Sequence, residues 1–295
     1  MVQDTPDRPS WGRRFIQFPH PGNEHRPDRR SDRRAWNSYR YQHARKFVEV
    51  NGAWSDGVSK ESGPLWAWAE WEPESDVIRT LDQSSPDRPR YLWRPYWVRK
   101  DDYTGLHNTD PFIYGGFYYT DCKQAESAAL EGLRRLDRGS VLVFGSFRGG
   151  AWVLDTVLVV QDFIDHDADT HRARLAGRVP DCYEDVVLKT TYQSPEKSAR
   201  RLYLGAEESR PLDGMFSFFP CLPASGGRTF ARPLITLPED YFTIDLRQGA
   251  KGHARGASSV DRETIRGLWD SIVEQVLAQG LMLGIAADVP PERSS

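Results

Sequence analysis

The stretch Val141-Leu-Val-Phe-Gly145-Ser-Phe-Arg-Gly-Gly150-Ala-Trp152-Val-Leu-Asp155-Thr-Val-Leu-Val-Val160 decides the fold. Two apolar, β-branched runs, Val141–Gly145 and Trp152–Val160, flank the glycine-containing turn Ser146–Gly150, which is the pattern of a β-hairpin. Asp155 sits inside the second, otherwise apolar run. A carboxylate there is either paired or at work, because burying it bare is too costly.

Working outward, Leu65–Pro73 alternates large and small residues and predicts a strand with Glu70 and Glu72 on the face of Trp66 and Trp68. Acids beside tryptophans suit a pocket wall; two acids near a sheet edge is the plainer reading. Arg13–Phe18 predicts a short strand, stopped by Pro19-His20-Pro21-Gly22. Tyr91–Val98 and Phe112–Tyr119 predict aromatic strands, and Gly214–Pro220 a short apolar one. Asp121 fits the N-cap of a helix over Cys122–Leu136, with Ala128, Ala129, Leu130, Leu133 and Leu136 as its buried stripe. Asp162–His171 reads as a loop. A last helix spans Asp261–Gln279, with Trp269, Ile272, Val273, Val276 and Leu277 inward. The fold expected is α+β: a curved, mostly antiparallel sheet or small barrel with flanking helices. One domain is expected over 13–287, between flexible tails at 1–12 and 288–295. No G-x-G-x-x-G follows a first strand and no Walker A loop is present, which disfavours a dinucleotide or P-loop fold.

Composition narrows the function further. The formal net charge of −3 excludes a globally basic nucleic-acid coat but permits a local basic patch. Cys122, Cys182 and Cys221 lie far apart with no C-x-x-C, against a zinc knuckle or thioredoxin-like motif and in keeping with a reducing cytoplasm. No secretory signal or membrane span is visible, so a cytoplasmic protein is expected. Nine of the 10 Trp precede residue 153. Core packing accounts for such a bias, and so does a stacking cleft.

Three groups of residues can carry chemistry. Between Arg26 and Lys46, Arg26, Arg29, Arg30, Arg33, Arg34, Arg40, Arg45 and Lys46 are opposed only by Asp28 and Asp32. Trp36, Tyr39, His43 and Phe47 recur at helical spacing, so the segment reads as a helix with a basic side and an aromatic side. It either tracks phosphates or is a solvated charged face. The turn Phe18–His25 carries His20, Glu24 and His25, suited to substrate or phosphate contact, to a metal, or to structural hydrogen bonding. At the start of the 122–136 helix, Asp121, Lys123 and Gln124 can meet an anion, supply an amine nucleophile and read a base edge; an N-cap with a surface lysine is the plain alternative. Glu70, Glu72 and Asp155 can stabilise the positive charge that builds on a sugar when an N-glycosidic bond breaks, and orient water. Trp68 belongs to the aromatic wall that would stack an everted base, and Arg228 and Arg232 would grip phosphates.

The motifs F-P-H-P-G-N-E-H (18–25), W-A-E (68–70), D-C-K-Q (121–124), L-V-F-G-S (142–146), L-D-T-V (154–157) and D-G-M-F-S-F-F-P (213–220) together resemble a bacterial family associated with DNA-base modification and phage defence. More loosely, they are similar to antiviral DNA glycosylases that excise glucosylated hydroxymethylcytosine. The resemblance implies excision of a modified pyrimidine from double-stranded phage DNA, leaving an abasic site. It transfers no catalytic residue. From chemistry alone, Asp155, Glu70, Glu72 and Lys123 are the catalytic candidates. His20, Glu24, His25, Trp68, Asp121, Gln124, Arg228 and Arg232 are expected to bind substrate, and Arg29, Arg30, Arg33, Arg34 and Arg40 the DNA backbone. No cofactor or metal is expected. The rivals are a module that binds modified bases without chemistry, a metal-dependent nuclease or nucleotide hydrolase using His20 and His25, and an interaction domain whose aromatics are core.

Overall fold

The computed structural model describes residues 12–20, 23–25, 27, 44–81, 87–99, 109–122, 124, 133–148, 150–192, 199–241 and 259–294. The hairpin forms as the sequence predicts. β7 (Val141–Arg148) pairs antiparallel with β8 (Ala151–His166). On one edge β7 takes β1 (Phe15–Pro19) in parallel; on the other, β8 takes β9 (Arg200–Gly205), which pairs with the short β6 (Tyr118–Tyr119). The first sheet therefore runs β1-β7-β8-β9-β6.

The second sheet is built on a long hairpin, β2 (Arg45–Ser55) and β3 (Lys60–Glu70), paired along its whole length from Arg45↔Glu70 to Ser55↔Lys60. β10 (Phe219–Pro223) adds to β3, and β11 (Met282–Ala287) pairs with both β10 and the far half of β2. The four strands β2, β3, β10 and β11 thus close into an antiparallel ring. The near half of β2 instead accepts β5 (Tyr91–Pro95) in parallel at Phe47 and Val48, and β4 (Ser75–Thr80) completes that edge. This is the expected α+β architecture with curved, mostly antiparallel sheets.

Both faces of the central strands are buried, and the two-residue period sorts their side chains between two cores. Leu142, Phe144, Leu158, Val48, Val50, Leu65 and Ala67 enter one. Val141, Val143, Val157, Phe47, Trp66 and Trp68 enter the other. Helix α1 (His171–Leu175), then the helical turn Glu184–Leu188 running into α2 (Lys189–Thr191), follow β8. Helix α3 (Arg262–Ala278) covers the second core. Asp261 caps it by accepting from the Thr264 N–H at 2.9 Å, and Ile265, Leu268, Trp269, Ile272 and Val276 are its buried stripe.

The structure departs from expectation at several points. The helix expected from Arg26 has its last residues, Arg45–Phe47, in β2, because β3 offers a partner at every position; residues 28–43 lie outside those described. Phe112–Tyr119 is broken by Gly115 and Gly116 at φ 68° and 147°, leaving only Tyr118–Tyr119 in a ladder. The loop expected at Asp162–His171 is instead the end of β8 as far as His166. Its acids are tolerated because Arg201 on β9 reaches Asp165 at 2.7 Å. The apolar strand expected at Gly214–Pro220 starts at Phe219. Most of the expected helix over Cys122–Leu136 lies outside the described residues. Residues 288–294, expected as a tail, are held by hydrogen bonds from Asp288 N–H to Asn51, Trp97 N–H to Pro291 and Arg293 N–H to Trp97.

Candidate functional site

Where the two sheets meet, Glu70 of β3, Asp155 of β8 and His20 just beyond β1 converge on Arg45 of β2. The convergence begins with a β-bulge. Along the β7–β8 ladder the partner of Phe144 is Thr156, but that of Gly145 is Leu154, so Asp155 is the extra residue. A bulge of this kind re-aims a side chain, and here it turns a carboxylate to the seam. Gly145 permits it: a Cβ there would lie 2.2 Å from the Val153 carbonyl. Asp155 accepts from Arg45 Nε at 2.9 Å and from Arg232 Nη1 at 3.1 Å. Arg232 also donates to Ser146 Oγ at 3.0 Å and lies over the Trp68 ring, 5.4 Å from its centroid.

Arg45 faces Glu70 across the β2–β3 ladder and donates from Nη1 to Glu70 Oε2 at 2.5 Å. The four charges, two guanidinium and two carboxylate, balance, and all four residues are buried. Burial alone would lower the Arg45 pKa; Asp155 and Glu70 overrule it and hold the guanidinium more firmly charged than usual. For Arg232 burial prevails and lowers its pKa, only partly offset by Asp155.

His20 completes the line. Its backbone N–H donates to the Gly145 carbonyl at 2.7 Å, which fixes the end of β1. Nδ1 lies 2.9 Å from Glu70 Oε2 and 2.5 Å from Arg45 Nη2, and Nε2 lies 3.4 Å from Cys122 Sγ. Facing the guanidinium, Nδ1 accepts and the ring proton sits on Nε2. Facing the carboxylate, Nδ1 carries the proton and Nε2 offers a lone pair to the thiol. Cys122 is half-buried, the member of the line nearest solvent. Burial first, then the charges of Asp110 and Glu70, hold its thiol well above the usual range, so it rests protonated.

Of the residues singled out by sequence, His20, Glu70, Asp155, Arg232 and Trp68 come together here. Others lie elsewhere. Glu72 turns to the opposite side of β2, where it and Glu74 face the buried Lys46; burial drives that ammonium down to about 7. Glu24 accepts the N–H groups of Arg90 and Tyr91, and His25 packs on the edge of Trp93. The Asp121 carboxylate accepts from Arg200 Nε at 3.0 Å, and Asp110 takes the N–H groups of Asp121 and Cys122, while most of the helix that Asp121 is expected to cap lies outside the described residues. Gln124 cannot read a base, because both ends of its amide are bonded to the Arg201 backbone. Arg228 lines a separate concavity of about 640 Å³ with Arg88, Thr229 and Phe230. The tryptophans expected to wall a cleft are core instead: Trp66, Trp68 and Trp71 are 0–3% exposed, and Trp68 Nε1 donates to the Phe230 carbonyl. Lys123, Arg29, Arg30, Arg33, Arg34 and Arg40 lie outside the described residues.

The sequence marks neither Cys122, Ser146 nor Asp110 as a site residue, and Arg45 only as part of a run that would track phosphates. Arg45 was hidden inside a charge run. Its signal was the aromatic and β-branched run Phe47-Val-Glu-Val50 that follows it, a strand composition. A single cysteine without a spaced partner carries no pattern at all. Among the described residues no group of three or more His, Cys, Asp or Glu could hold a metal ion, and no helix is long and apolar enough to cross a membrane.

The fold and the seam define an α+β protein with a thiol–imidazole–carboxylate line backed by a charge-balanced arginine network. No family model, curated protein or solved structure matches the chain.

Proposed function

We propose that the chain is a hydrolase working through the Cys122 thiol. One observation carries this reading: the sulfur of the half-buried Cys122 lies 3.4 Å from His20 Nε2, and in the tautomer that turns Nδ1–H to Glu70, 2.9 Å away, instead of taking the Arg45 N–H, Nε2 can accept the thiol proton. A nucleophile within reach of a base, and the base within reach of an orienting carboxylate, is the arrangement of covalent acyl transfer. In the step proposed, Sγ bonds to a carbonyl carbon while its proton passes to Nε2. The imidazolium, stabilised by Glu70, returns that proton to the leaving amine or alcohol. Water then cleaves the thioester and restores the thiol. Because the thiol rests protonated, its proton leaves during attack rather than before it. The test is incubation with activated aryl esters and amides, followed by peptide mapping. An acyl mass on Cys122, absent in Cys122→Ser and reduced in His20→Gln, is expected. Unmodified Cys122 with every acyl donor would sink the reading.

The second reading is hydrolysis of the N-glycosidic bond of a modified pyrimidine in phage DNA. It is favoured by the bulge that turns the Asp155 carboxylate to the seam beside Arg232, and by the separate arginine-lined concavity at Arg88 and Arg228. Asp155 and Glu70 would stabilise the cationic sugar. Alkali-labile sites appearing in modified but not unmodified phage DNA would support it; intact DNA in both would remove it.

A further inference from the structure

We infer that Asp110 is the positioning residue of the Cys122 thiol, clamping the backbone of residues 120–122 so that Sγ meets Nε2 of His20. The inference rests on the nucleophile reading above. Asp110 is fully buried, and three consecutive N–H groups converge on its carboxyl. Thr120 donates to Oδ1 at 3.1 Å; Asp121 and Cys122 donate to Oδ2 at 2.9 and 2.7 Å. Its own carbonyl oxygen lies 3.7 Å from Sγ. Successive N–H groups aimed at one anion form a nest, and bonds to an ionised acceptor are roughly twice as strong as neutral ones.

The rest of the junction is tied as well. Tyr119 donates its hydroxyl to the Cys122 carbonyl at 2.7 Å, and Thr120 Oγ1 lies 2.9 Å from His166 Nε2. Asp121 is held by Arg200, and Gln124 by the Arg201 backbone. Such support is what holds a reactive group within a fraction of an ångström of working geometry.

The titratable groups facing Asp110 are Asp121, Cys122, Tyr119 and Tyr183. Burial lifts its carboxyl to about 7 against the pull of the Cys122 N–H, and the charge of Asp121 adds to the rise. The clamp is therefore ionised above neutrality and weakens as the pH falls below about 7.

The experiment measures alkylation of Cys122 by iodoacetamide, resolved by mass spectrometry, from pH 5 to 9. It uses the full chain, His20→Gln, Asp110→Asn and the double variant. In the wild-type background His20→Gln should slow alkylation at pH 8 roughly ten-fold, the low end of general-base effects. In the Asp110→Asn background that ratio should collapse to near one, and Asp110→Glu should restore part of it. A ratio that persists without Asp110 overturns the inference alone. A ratio near one in the wild type overturns the nucleophile reading and this inference with it. Should Asp110→Asn fail to fold, amide exchange of the wild type decides. Protection factors at residues 120–122 should fall several-fold between pH 8 and pH 6; unchanged factors overturn the clamp.

Discussion

Arg45 is the residue on which the seam depends. A guanidinium is planar and donor-only, with five N–H groups, so one side chain can face Asp155, Glu70 and His20 at once. Removing one partner from a buried ionic network leaves uncompensated charge, at a cost of about 3–5 kcal/mol. Arg45→Met should lose stability of that order in urea unfolding, and Arg45→Lys should recover only part of it. His166 makes a separate, pH-linked prediction. Burial, then the charges of His171 and Arg200, lower its pKa to about 4, while Thr120 and Tyr192 bond its two nitrogens. A group whose folded pKa is depressed contributes stability that is present above its unfolded value, near 6.5, and lost as the pH falls through 4. His166→Gln should therefore flatten the fall in unfolding free energy between pH 6.5 and 4, a window holding up to roughly 3 kcal/mol. An unchanged slope in denaturant titrations across that range would remove the assignment.

At the scale of elements, the bulge in β8 is the critical feature. Asp155 reaches the seam only because Gly145 leaves room for the Val153 carbonyl and the Trp152 indole, whose Nε1 would lie 2.7 Å from an added Cβ. Gly145→Ala should force β7 away from β8 at a cost of about 1–3 kcal/mol. It should also disturb His20, which hangs from the Gly145 carbonyl. The check is a lowered melting temperature together with lost acyl labelling of Cys122. The elements legible in the sequence were those whose contacts are local. The 141–160 hairpin is closed by its own turn, and α3 carries both its cap and its stripe. β2 was misread because Trp36, Tyr39, His43 and Phe47 share a helical spacing, whereas Phe47 is ordered by a distant partner, Trp68. The Asp110 clamp was illegible for the same reason: nothing around Asp110 announces that three N–H groups ten residues on will turn toward it.

Over the whole molecule, the seam lies where two sheets share two cores, so its geometry and folding are one problem. Glu70, Asp155 and His20 were legible as unusual residues, polar groups in apolar or turn settings. Their convergence was not, because it is set by pairings such as Phe15↔Val141 and Gly284↔Trp54 between distant parts of the chain. The ring depends on β11, which lies between β10 and β2. A chain ending at Gly280 should lose its cooperative thermal transition by circular dichroism, since β2 and β10 would then present open edges. The same topology bears on biogenesis. On the ribosome, the β2–β3 hairpin emerges long before the strand that will seal it. During that interval the nascent polypeptide displays sticky, half-mated ribbons, and a topology so rich in distant pairings matures slowly. Yield in a heterologous host should therefore respond to chaperone supply and growth temperature more than to codon choice.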